Sequence, residues 1–201
     1  MVTLRTKNLS RTALGVGALG LALLPVASYA ATASTSNIQI SAAIGSAISI
    51  NTPTAVAVSL TPTSGGPVSI GSHTVTVSTN NGSGYNLTLK DSDATLTLAS
   101  GGNSIAASAG TFAAPVALAM NTYGYAITGA PFAGSYTVAN DVAYDSGKLF
   151  AGITASNVQL KSTSSTASND NTVVYWGVRA DSTKPNGTYT NNVVYTATTN
   201  P

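Results

Sequence analysis

Beyond residue 37, apolar side chains recur at every second position, and this spacing restricts the chain to extended strands. Ile38, Ile40, Ala42 and Ile44 share one face of a first expected strand, continued by Ile48 and Ile50 after a Gly-Ser break. Val56, Val58 and Leu60 alternate in a second, and Thr61–Pro67 is rich in turn formers. Val75, Val77 and Thr79 make the next strand. Asn80–Gly84 turns the chain, and Tyr85, Leu87 and Leu89 bring it back as a hairpin with a Gly-bearing loop. Leu96 and Leu98 follow, then a turn at Gly101–Asn103.

Residues 104–120 are Ala-rich, a composition that also suits a short helix. Alternation resumes at Tyr123, Tyr125 and Ile127, and Gly129–Gly147 reads as loop. Leu149–Leu160 has room for one or two strands, and Lys161–Asn171 reads as a long polar loop. Near the end, Val174, Trp176, Val178 and Ala180 face one way, and Val173, Tyr175, Gly177 and Arg179 the other. A turn at Asp181–Gly187 leads to Tyr189, Val193 and Tyr195. Short strands with frequent turns and no crossover helices predict an all-β fold. The form expected is an antiparallel β-sandwich of the Ig-like or Greek-key type.

The first thirty residues read differently. Arg5, Lys7 and Arg11 precede an unbroken small-and-apolar run, Ala13–Val26, which is followed by Ser28-Tyr29-Ala30. That order is the pattern of a cleavable signal peptide, with Ala30 or Ala33 as the cleavage position. The expected organisation is a signal peptide over 1–30 and one β-sandwich over 31–201. The mature chain is then secreted and lacks a transmembrane segment, because no second apolar stretch is long enough. The C-terminus carries no sorting signal, so attachment to a cell would be non-covalent.

Charge and residue type exclude several functions. Charged residues are 7 % of the chain, and hydrophobic residues 43 %. Beyond residue 30 there are five Lys or Arg and six Asp, so no basic surface exists for nucleic acid. Without Cys there are no disulfides, thiol nucleophiles or Cys-bound metals. His73 is the only His, and no Gly-x-Ser-x-Gly turn surrounds a Ser, so no catalytic residues and no cofactor are expected. Asp91 with Asp93, and Asn169 with Asp170 and Asn171, read as Asx turns rather than as calcium or carboxylate-pair sites. Tyr175 and Tyr189 are the best candidates for a carbohydrate-facing aromatic row, with Trp176 on the core side.

Three features together resemble the WxL-type surface domains of Gram-positive bacteria. They are Thr79–Leu89 (TNNGSGYNLTL), Asn186–Ala197 (NGTYTNNVVYTA), and a chain end straight after that strand. Tyr85-Asn86-Leu87 and Tyr195-Thr196-Ala197 stand where the two Trp-x-Leu motifs would fall. Trp176-Gly177-Val178 is the only Trp-x-aliphatic triplet. The resemblance implies a non-enzymatic cell-surface module bound non-covalently to peptidoglycan or another wall glycan. Tyr85, Leu87, Trp176 and Tyr195 would then carry the packing or contact surface. The alternative is a structural subunit of a pilus, coat or surface layer, self-associating or pairing with other surface proteins through its strand edges.

Overall fold

The computed structural model describes residues 39–132 and 134–201. The expected signal peptide, its expected cleavage positions and Ile38 lie outside the described residues. The chain divides into two units, Met1–Ala42 and Ala43–Pro201. In the first, only Gln39–Ala42 are described; they are exposed and have no regular structure.

The second unit is all-β. Among the described residues there is no helix, and so none long and apolar enough to cross a membrane. Twelve strands occur: β1 (Ile48–Asn51), β2 (Val68–Thr79), β3 (Tyr85–Asp91), β4 (Thr97–Ser100), β5 (Asn103–Ala107), β6 (Val116–Ala117), β7 (Thr122–Ile127), β8 (Ala139–Val142), β9 (Leu149–Phe150), β10 (Val158–Ser162), β11 (Ala167–Arg179) and β12 (Val193–Thr199). The largest sheet runs β1-β2-β11-β7-β5-β4, with β8 also paired to β2. A second runs β10-β3-β12, and β6 pairs with β9. Pairing is antiparallel except between β5 and β7, which run parallel, so the large sheet is mixed rather than purely antiparallel.

β11 is the axis of the large sheet, and the register shows which residues share its inner face. Val174, Trp176 and Val178 lie opposite His73, Gly71 and Ser69 of β2 on one side, and opposite Ile127, Tyr125 and Tyr123 of β7 on the other. That face meets the β10-β3-β12 sheet: the His73 and Tyr195 rings are 5.3 Å apart, edge to face. The outer face carries Tyr175 and Gly177 and is covered by the β6–β9 ribbon. A Cβ at Gly177 would lie 2.5 Å from the Phe150 ring, so only glycine admits that ring. β11 is therefore apolar on both faces, as a central covered strand must be.

Several expectations need correction. Gln39–Ala47 is not a strand; pairing begins only at Ile48, and Ile40 and Ile44 are 93 % and 87 % exposed. Val56, Val58 and Leu60 do alternate in burial but form no ladder; Val56 and Val58 lie against Gly71. The Asn80–Gly84 turn does not close a hairpin, because β2 and β3 belong to different sheets. Residues 104–120 contain β5 and β6 instead of a helix, and β8 lies within the expected 129–147 loop. The polar loop expected over 161–171 shrinks to 163–166. Lys161 and Ser162 end β10, and Ala167 to Asn171 begin β11, bent by a bulge at Asn169, where φ is 51°.

Candidate functional site

The two stretches singled out in the sequence are neighbours in the fold. β12 pairs along the whole of β3, with Tyr195 opposite Leu89, Ala197 opposite Leu87 and Thr199 opposite Tyr85. Tyr85 and Leu87 have no exposed surface. Trp176 is half-buried on the facing sheet, among Tyr123 and Tyr125, with ring centroids 6.3 and 5.8 Å away. Tyr195 is half-buried against His73. The four residues therefore pack between the sheets, and Tyr85 and Leu87 present nothing to an external ligand. Burial pushes the Tyr125 hydroxyl up to about 12 and raises Tyr195 further, so both are neutral phenols.

Tyr175 and Tyr189 do not form a row. Tyr175 stacks on Tyr136 on the outer face, 5.4 Å between centroids, whereas Tyr189 donates to the Pro185 carbonyl at 2.9 Å. Tyr189 also lies outside any strand.

A polar zipper closes one end of β3 and β12. Gly84, at φ 81°, brings the turn against Thr163, and Thr163 Oγ1 accepts from the Tyr85 amide at 3.0 Å. Asn200 donates its side-chain amide to the Ser83 and Thr163 carbonyls at 2.9 and 2.7 Å. The Asn200 carbonyl in turn accepts from Asn81 at 2.7 Å. Deeper in, the Tyr85 hydroxyl donates to Asp170 at 2.8 Å, and Lys161 meets the other oxygen of that carboxylate at 2.6 Å. Burial pushes the Asp170 carboxyl up, but the Lys161 and Tyr85 hydrogen bonds and the Lys161 charge outweigh it and hold it below its ordinary value. Asp170 thus serves as an anchor between sheets. Asn200, Asn81 and Thr163 were missed in the sequence, since nothing local marks a terminal Asn as a partner for a turn over a hundred residues away.

At the other end, Asp91 accepts from Asn191 and from the Asp93 amide, both at 2.6 Å. Asn191 also donates to the Tyr123 hydroxyl at 2.6 Å, while Asp93 accepts from Asn192. Both carboxylates are used to fix the entry to β12. Burial first, then the charges of Asp91 and Asp93, push Tyr123 up to about 12 against the Asn191 bond. His73 is held below its ordinary value by burial.

The two larger sheets end at β1 and β4 and at β10 and β12. β1 and β12 are edge strands of their sheets and lie beside one another. No Asp, Glu, Lys or Arg occurs between Arg11 and Lys90, or after Lys184, so neither edge carries the charge that commonly guards an exposed strand. Ahead of β1, every residue from Gln39 to Ala47 is exposed. Asn80 fixes where this lead-in joins the sheet: its side chain donates to the Gly45 carbonyl at 2.9 Å and accepts from the Ala47 amide at 2.7 Å. A groove of about 380 Å³ lies there, lined by Ile48, Thr79 and Ala167 among others. Comparison with protein-family models, curated proteins and solved structures yields no match.

Proposed function

We propose that this chain is a non-enzymatic, exported β-sandwich that serves at the cell surface as a structural subunit, associating through its strand edges. The observation that carries the reading is the pair of exposed isoleucines, Ile40 and Ile44, in an uncharged lead-in to an unguarded edge strand. Removing both side chains from water contributes on the order of 3–6 kcal/mol toward association, and backbone pairing adds direction. Single exposed apolar residues are ordinary, but two at strand spacing beside an open edge suit β-augmentation.

A second reading keeps the wall-binding module. It is favoured by the pairing of β3 with β12, which sets the two WxL-like stretches side by side. On that reading Tyr85, Leu87, Trp176 and Tyr195 hold the module together, and wall glycan meets other residues. The test is to recover the chain after export, follow its mass by light scattering against concentration, and sediment it with purified cell wall. Concentration-dependent multimers without saturable wall binding support the subunit. Saturable wall binding by a monomer supports the module and removes the subunit reading.

A further inference from the structure

Burial in the β10-β3-β12 sheet falls off from β3 to its end strand β12. On the inner face of the large sheet, Val77 of β2 is fully buried. Ile50, directly opposite it on β1, is 39 % exposed. The smaller sheet shows the same gradient. Tyr85, Leu87 and Leu89 of β3 have no exposure, whereas their partners Thr199, Ala197 and Tyr195 on β12 are only half-buried. Apolar cover thus fails on both layers at the same side. The outer edge of β12 there is seven residues long, without charge, proline or bulge.

The lead-in has the complementary form. Ile38 to Ile44 is also seven residues, about 23 Å when extended. Ile38, Ile40, Ala42 and Ile44 fall on one side of such a strand. Within the second unit, Ile44 to Ala47 do not fill the edge, since Ile44 is 87 % exposed and Asn80 ties Gly45 and Ala47 beside β1.

We propose that the lead-in of a second copy adds as a fourth strand along β12, placing its isoleucines over Ile48, Ile50 and Tyr195. This rests on the subunit reading and names its contact. Each copy then offers one strand and one edge. The contact is head-to-tail, and it continues into a filament unless the rotation closes a ring.

The test is amide hydrogen exchange on the exported full chain, dilute and concentrated, beside an Ile40→Asp/Ile44→Asp variant. Both side chains are exposed, so the variant keeps its fold, which Trp176 emission checks. The expected result is concentration-dependent protection of both the lead-in and β12, lost in the variant together with the multimer. A synthetic peptide of residues 38–47 in excess should also dissolve the multimer. Multimers protected at β1, β8 or β10 instead, or insensitive to the variant, overturn this contact and leave the subunit reading standing. A monomer at every concentration, with or without protection of the lead-in by its own β12, overturns both.

Discussion

Replacing Gly84 by Ala strikes the point where the chain leaves one sheet for the other. Its φ of 81° lies in the left-handed region, which costs a residue with a Cβ about 1–2 kcal/mol. The new Cβ would also stand 2.3 Å from the Thr163 carbonyl oxygen, a backbone atom, so the 163–166 loop must move. That oxygen accepts from Asn200 at 2.7 Å, and Thr163 exchanges two further bonds with Tyr85, at 2.9 and 3.0 Å. Weakening one or two of these costs about 1 kcal/mol each. Alanine's stiffer unfolded chain returns about 0.4–1 kcal/mol. The net loss is about 2–3 kcal/mol, a fall in Tm of about 5–10 °C for a domain of this size. Gly82→Ala in the same turn is the control, because no atom lies within 4 Å of its Cβ position. Thermal unfolding followed by Trp176 fluorescence reads both. If Gly84→Ala melts within about 2 °C of the wild type, the account of the turn is wrong.

Tyr85→Phe removes the hydroxyl that spans the sheets to Asp170, and urea unfolding should show a loss of about 1–2 kcal/mol, with Lys161 still paired. Leu87→Ala empties a site with no exposure and should cost about 2–5 kcal/mol, which places Leu87 in the core rather than at a contact surface. His73 is depressed by burial, so the unfolded chain takes up its proton first as pH falls. Stability is then fully present above the ordinary imidazole range, near 6.5, and declines as pH falls through it toward the folded value. His73→Gln should flatten that part of the curve; an unchanged slope would assign it to another group.

Legibility in the sequence followed burial. β3 and β12 are readable because each keeps a strict two-residue rhythm against an apolar layer, as Tyr85, Leu87 and Leu89 do, whereas β11 is readable only from Val173 onward, where both faces are apolar. The same rhythm misled at Ile40 and Ile44, since alternation reports that a face seeks apolar cover and not where the cover is. At Val56 and Val58 side chains pack without backbone pairing. Turn chemistry at Asn80–Gly84 announced a change of direction, but glycine geometry is alike whether the chain returns to its own sheet or crosses to another. The Ala-rich stretch followed its surroundings over its helix propensity: Gly110 there sits against the Phe150 carbonyl, where a Cβ would come within 2.5 Å. Of the site, the aromatic and leucine positions are visible in the sequence and Trp176 reads as core-side, but whether Tyr85, Leu87 and Tyr195 pack inward or meet a ligand stays open there. That depended on which sheet β3 and β12 join, a long-range fact that turns and spacing do not encode.

Association through the lead-in is the central claim, and sedimentation velocity of the exported chain beside its Ile40→Asp/Ile44→Asp variant tests it most directly. The account predicts a series of multimers that grows with wild-type concentration and a single-chain species for the variant. The same sedimentation coefficient for both, at every concentration, would contradict it.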